Sequence, residues 1–140
     1  MGATGSITAL YTVLAEDDSG SDPIAEEVRG ILDGHMILSR EIAAKNQYPA
    51  IDVLASLSRV MPQVMSRDYV QAAARVRELL ASHREVEMLL QIGEYKPGGN
   101  PLVDEAIGKI DAIRAFFSQA TDEFAAPADT EAQLFNLAGG

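Results

Sequence analysis

The chain has 140 residues, 47% of them hydrophobic, with no cysteine and a formal net charge of −10. That apolar content suffices for one buried core, the missing thiols exclude disulfides and thiolate metal sites, and the negative charge repels nucleic-acid phosphates and anionic membranes. No apolar run reaches a membrane span and no charged-then-apolar signal segment opens the chain, so it reads as a soluble protein.

Ile7 to Ala15 is rich in β-branched and aromatic residues without a helical period, which predicts a buried strand. A lone strand is unstable in water. Its neighbours are therefore expected either outside this chain or in the other strand-like runs, His35 to Leu38 and Ile51 to Leu54. Glu16 to Ser21 reads as a polar loop, and Glu16, Asp17, Asp18, Asp22, Glu26 and Glu27 as solvated acids at a loop and helix start. Asp22 and Pro23 form an N-cap and first-turn proline. Ile24, Val28, Ile31 and Leu32 would bury one stripe of that helix, with Gly34 as its stop.

His35 to Leu38 is short and apolar, as in a strand inside a parallel sheet, and strand, helix and strand in succession imply a parallel α/β crossover unit. A helical turn or two follows over Glu41 to Asn46. Ile51 to Leu57 reads as a third strand or an irregular edge segment, and Pro62 closes this half. From Ser66, a second capping residue, apolar positions Val70, Ala73, Val76, Leu80, Val86, Leu89 and Leu90 recur at helical spacing. Gly93 and Lys96-Pro97-Gly98-Gly99 end that helix. Asn100 and Pro101 start another, with Val103, Ile107, Ile110, Ile113 and Phe117 on one face, and the two helices are expected to pack antiparallel. Ala125 to Asp129 reads as a linker, and Glu131 to Leu137 as a last amphipathic helix.

Chemistry is sparse. His35 in an apolar strand and His83 on the long helix read as structural, and the scattered carboxylates give no metal constellation. No G-x-x-x-x-G-K-[ST] phosphate loop occurs anywhere. Arg59 follows Ser56-Leu57-Ser58 on what reads as a loop after an extended segment. From there it would be a surface arginine, a partner in an intrachain ion pair, or a group reaching across a subunit boundary to a transferring phosphoryl. Tyr48, held extended before Pro49, either packs or presents its ring to a flat base.

The segments Gly5-Ser6-Ile7-Thr8-Ala9-Leu10-Tyr11-Thr12-Val13-Leu14, Asp33-Gly34-His35-Met36-Ile37-Leu38-Ser39-Arg40, Tyr48-Pro49-Ala50-Ile51-Asp52 and Ser56-Leu57-Ser58-Arg59-Val60-Met61 carry a resemblance. Together they are similar to the second half of the catalytic subunit of type III secretion ATPases, relatives of the rotary ATP synthase subunits. The likeness runs from Gly5 to about Gln119, with Leu90-Gln91-Ile92-Gly93-Glu94-Tyr95 resembling the linker between the family's helices. Ser118 to Leu137 is closer to the virulence-type enzymes than to the flagellar ones.

The resemblance implies an α/β piece, the C-terminal part of a RecA-like P-loop ATPase core lacking the P-loop (residues 1–64), then an all-α helical domain (65–124) and a tail (125–140). It implies that Arg59 is an intersubunit arginine finger, and that Tyr48 and Phe116 of Ala115-Phe116-Phe117-Ser118-Gln119 approach the adenine of ATP, Phe117 being the alternative core-facing ring. ATP and Mg2+ would be held mainly by residues outside this chain, so hydrolysis by the chain alone is not expected. Asp17 and Asp18 match the acidic loop after the family's strand, with no catalytic role. The implied setting is cytoplasmic and bacterial: a homohexamer at the base of an export apparatus, peripheral to the membrane, meeting stalk and gate proteins and chaperone–effector complexes. There, hydrolysis would drive chaperone release, unfolding and export. Two alternatives remain at this stage: a non-catalytic adaptor, suggested by the missing phosphate loop, or a piece of a flagellar export ATPase or ATP synthase subunit. The unpaired first strand also predicts poor solubility in isolation.

Overall fold

The computed structural model describes residues 4–5, 7–14 and 22–139. The predicted loop at Glu16 to Ser21, with Asp17 and Asp18, lies outside the described residues, as does Ala15. The chain divides into two compact units, Met1–Leu32 and Asp33–Gly140.

In the first unit, residues 7–14 form neither strand nor helix, and Ile7, Leu10, Tyr11 and Leu14 are exposed. Among the described residues the expected buried strand is absent. β-Branched residues favour a strand only where a ladder and a packed face accept them, and no described residue before 34 is in a strand. Helix α1, Pro23–Ile31, begins as the sequence requires, with the Asp22 Oδ1 accepting from the N–H groups of Ile24 (2.9 Å) and Ala25 (3.3 Å). Its expected stripe is only partly covered: Val28 and Leu32 are half-buried, Ile24 and Ile31 are exposed, and Ala25 is buried. Periodicity marks an apolar face without naming what covers it. The helix also stops before Gly34, at a Leu32 cap with extended backbone.

The second unit opens with strand β1, Gly34–Leu38, helix α2, Arg40–Ala44, and strand β2, Ile51–Ser58. The two strands pair antiparallel, not in the expected parallel crossover. The reason lies in the connection. The Ser39 N–H donates to the Ala50 carbonyl at 2.8 Å, so the residue leaving β1 meets the residue entering β2 and the chain has reversed. The ladder is uneven: Leu38 and Ile37 face Ile51 and Asp52, whereas His35 and Gly34 face Leu57 and Ser58. Met36 alone therefore stands opposite residues 53–56, a wide bulge in β2.

The short helix α3, Met61–Val64, leads to α4, Arg67–Gln91, α5, Pro101–Phe116, and α6, Pro127–Ala138. The predicted caps hold: Ser66 Oγ accepts from the Tyr69 N–H at 3.1 Å and Asn100 Oδ1 from the Leu102 N–H at 3.0 Å. Past Gln91 the chain turns at Gly93, whose φ of 73° is costly for any residue with a Cβ. The last helix starts earlier than expected because Pro127, read as part of a linker, occupies its first turn.

The core of this unit is helical. Ala72, Val76 and Leu79 of α4, Ala106 and Ile113 of α5 and Leu134 of α6 cluster together. On α5 the buried face is Val103, Ala106, Ile110 and Ile113, close to expectation, but on α4 it is Ala72, Val76, Leu79, Ser82 and His83, and Leu89 is exposed. Nor do α4 and α5 fold back as an antiparallel hairpin. Arg75 meets Glu105 at 2.5 Å and, further along both helices, Glu87 meets Arg114 at 3.8 Å. The contacts advance in the same direction on each helix. Residues 92–100 make this feasible, since nine extended residues reach up to about 30 Å, and Asp104 anchors the returning segment through the Tyr95 hydroxyl and the Gly98 N–H, both at 2.8 Å. No helix among the described residues is long and apolar enough to cross a membrane.

Candidate functional site

Arg59 stands where β2 gives way to α3. Its N–H donates to the Asp33 carbonyl at 2.8 Å, one step beyond the Gly34–Ser58 pair, and Ser58 Oγ accepts from the Met61 N–H at 3.2 Å. The backbone is thus fixed on both sides of the residue, while its side chain is exposed. Gly34 is essential to this geometry, because a Cβ there would lie 2.6 Å from the Leu57 carbonyl oxygen. The strands can approach at the root of Arg59 only because that side chain is absent.

Tyr48 lies beyond the other end of β2, the residue 55% exposed, in a cis Tyr48–Pro49 peptide. The Gln119 N–H donates to the Tyr48 carbonyl at 2.9 Å. The structure therefore brings Tyr48 to the segment that follows Phe116, a link between residues far apart in sequence. Phe116 and Phe117 are tilted against each other with ring centres 5.2 Å apart, and both are half-buried on the helical core. Phe117 also lines a cavity of about 100 Å³ between α2, β2, α4 and α5, together with Lys45, Asp52, His83, Arg84 and Arg114.

Around that cavity, α4 grips the strand and its connection through polar contacts. Arg84 pairs with Asp52 at 3.2 Å, and Lys45 with Glu41 at 3.0 Å and Glu87 at 3.4 Å. Burial by itself would raise the Asp52 carboxyl, but the Ala55 N–H, the Arg84 guanidinium and the Leu54 N–H outweigh it and hold the group below its ordinary value. Lys45 is raised, chiefly by its hydrogen bond to Glu41 and the charge of Glu87, against some desolvation. His83 is lowered by burial and by the Arg114 charge, partly opposed by Glu87 and Asp111.

Sequence reasoning missed Arg77. Its guanidinium donates to three carbonyls of β2: through Nη1 to Val53 and Ser56 (3.2 Å to the latter), and through Nη2 to Leu54 at 3.1 Å. His35 meets the fourth bulge carbonyl, its Nε2 lying 3.1 Å from the Ala55 oxygen. A carbonyl only accepts, so that nitrogen carries the hydrogen, while Nδ1 is buried without a partner among the described residues. His35 lies in β1 and His83 on α4, the elements in which the sequence places them. No signal in the period of α4 distinguishes Arg77 from a solvated arginine beside a core position. Among the described residues, no three His, Asp or Glu side chains gather as a metal-holding group.

Residues 65–136 match the model of the T3SS EscN ATPase C-terminal domain, and residues 1–58 that of the ATP synthase alpha/beta family nucleotide-binding domain. The type 3 secretion system ATPase of Xanthomonas euvesicatoria is 70% identical over 130 residues, covering 93% of this chain and 29% of that protein. The assembled ATPase EscN of the enteropathogenic E. coli type III secretion system superposes with a TM-score of 0.92 at 46% identity, over 96% of this chain and 32% of that one. EscN in complex with its central stalk EscO gives 0.79 at 42% identity, over 83% of this chain and 29% of that one. The chain thus spans about three-tenths of the length of the relatives it matches.

Proposed function

The chain belongs to the family of type III secretion ATPases, as an α/β piece followed by the EscN-type helical domain, and on that premise we propose that it supplies three parts of such an enzyme. These are a trans-acting arginine finger at Arg59, the base-side contacts of a nucleotide site at Tyr48 and Phe116, and a helical domain facing protein partners. The observation that carries this reading is the placement of Arg59 and Tyr48 beyond opposite ends of β2. The ends of that strand pair with the ends of β1, a five-residue strand, so they lie about 13 Å apart at 3.3 Å per residue, and both residues sit further out. Such a pair suits two different nucleotides, one in this subunit's site and one in its neighbour's.

The residues present fit part of an ATP site. Tyr48 offers an exposed aromatic face beside the end of α5, where a base can stack, and Phe116 stands on that same helix end, half-buried. Arg59 offers a fixed positive charge, and a guanidinium aimed at a phosphoryl group stabilises charge that develops during its transfer. Phosphates and Mg2+ would be held by residues beyond those described here. ATP, when bound, supplies the phosphoryl group whose transfer drives the work. In the assembled enzyme, that work would be chaperone release, unfolding and export of proteins at the cytoplasmic base of the apparatus. The relative's assembly and its stalk complex make a homo-oligomer and a stalk protein the partners most directly supported, with gate proteins and chaperone–effector complexes as further ones. Residues 65–124 would present the surface for them and residues 1–64 a piece of the ATPase core, while the expected tail, 125–140, holds α6, packed on the helices through Leu134.

Arg59→Ala, made in a full-length ATPase of the family carrying this sequence in its matching segment, tests the reading. Turnover by the assembled enzyme should fall on the order of 10³-fold with nucleotide binding retained. Unchanged turnover would sink the assignment.

A further inference from the structure

The bulge in β2 is a knot tied largely from outside the strand. Residues 53–56 leave the ladder between the Asp52–Ile37 and Leu57–His35 pairs, and their carbonyls are met by side chains. Arg77 takes the carbonyls of Val53, Leu54 and Ser56, and His35 takes that of Ala55. The amides are tied as well: Asp52 Oδ1 accepts from the Leu54 and Ala55 N–H groups, both at 3.0 Å, and Ser56 Oγ donates to the Asp52 carbonyl at 2.6 Å and accepts from the Ile37 N–H at 3.0 Å. The chain then rejoins the ladder at Leu57 and Ser58, and Arg59 follows at once. Arg59 thus leaves the sheet three residues after the segment these bonds hold.

We propose that Arg77 is a positioning residue for Arg59: from the helical domain it locks the four-residue bulge and so fixes the place from which the finger is presented. The proposal rests on the reading of Arg59 as a finger. Its consequence is a direct mechanical route from α4 to the phosphoryl-transfer site. Arg77 sits next to Val76, which is 1% exposed in the helical core, so a displacement of α4 must carry the guanidinium with it. The carbonyls it holds, and the arginine that follows them, would move too. A planar guanidinium with forked donors can serve three carbonyls at once, whereas an ammonium is a point charge.

The test uses the assembled full-length ATPase carrying this sequence. A shift of about 1 Å in a positioned group can cost on the order of 10²-fold, so Arg77→Ala should lower kcat by roughly ten- to a hundredfold while KM for ATP stays, the split expected when a group acts only in the transition state. Arg77→Lys, which keeps the stem and the charge, should fall between wild type and alanine and covers the case in which the alanine variant fails to fold. Hydrogen exchange should quicken at amides 53–59 in both variants. The double variant Arg59→Ala/Arg77→Ala should turn over no more slowly than Arg59→Ala alone, since Arg77 acts through Arg59. An unchanged kcat, an equal further loss on the Arg59→Ala background, or unaltered exchange at 53–59 would overturn the proposal. If Arg59→Ala alone leaves turnover intact, the finger reading fails and the positioning role goes with it. Faster exchange in Arg77→Ala would then still identify the finger assignment, not the bulge lock, as the error.

Discussion

The helical part of the second unit and its strand pair are held by different physics. In the helices, Val76, Leu79 and Ile113 are all but fully buried and close a core with Ala106 and Leu134. In β1 and β2 no residue is fully buried, and the strands are fixed by Arg77, Arg84 and Asp52 through directed polar bonds. Apolar packing is non-directional and gives stability. Hydrogen bonds to named carbonyls give position, and the strand that receives them runs directly into Arg59. On the proposed reading of Arg59, the helical core would be the frame from which the finger is aimed.

The contrast can be broken from either side. Leu79→Ala, at a residue with no exposed surface, should cost about 2–5 kcal/mol in denaturant unfolding of the helical part; a loss well under 1 kcal/mol would mean the core is not where the stability resides. Gly34→Ala forces a Cβ against the Leu57 carbonyl and should cost about 1–3 kcal/mol, as overpacking does, with its damage concentrated in exchange at residues 33–36 and 56–59. Asn100→Ala removes one cap of α5 and should cost about 1 kcal/mol without touching the strands.

Acidity should separate the two regions by a smaller effect. His83, in the helical interior, has its folded pKa below the ordinary 6.5, so its contribution is complete above that pH and is lost as pH falls toward the folded value. Asp52, in the strand clamp, is depressed below 3.8; its contribution is present above 3.8 and is lost only as pH falls through the lowered folded value. Exchange followed by pH titration should therefore loosen the surroundings of His83 first and the β2 bulge later. The reverse order would contradict the assignment of these groups.

What could be read from the sequence follows the range of the interactions. Caps at Asp22, Ser66 and Asn100 were legible because they act within a few residues, and the buried face of α5 was legible because its period is regular. Residues 7–14 and Ile51 to Ser58 look alike in composition, yet only the latter is a strand, since among the described residues only it meets a partner. The antiparallel pairing follows a chain reversal closed by the Ser39–Ala50 bond, which no local pattern announces. Arg59 and Tyr48 drew notice by resemblance, and the structure adds that they lie beyond opposite ends of one strand. Arg77 stayed hidden because an arginine beside a core valine on a helix looks the same whether it meets water or a strand.

The most direct test of the central claim mixes two inactive subunits of a full-length ATPase carrying this sequence: one with Arg59→Ala, the other with its phosphate-loop lysine removed. If Arg59 acts on the neighbour's nucleotide, mixed assemblies contain interfaces that pair an intact phosphate loop with an intact arginine, and hydrolysis returns on mixing. If both parents are inactive, assemble together, and yet stay inactive at every ratio, Arg59 does not act in trans.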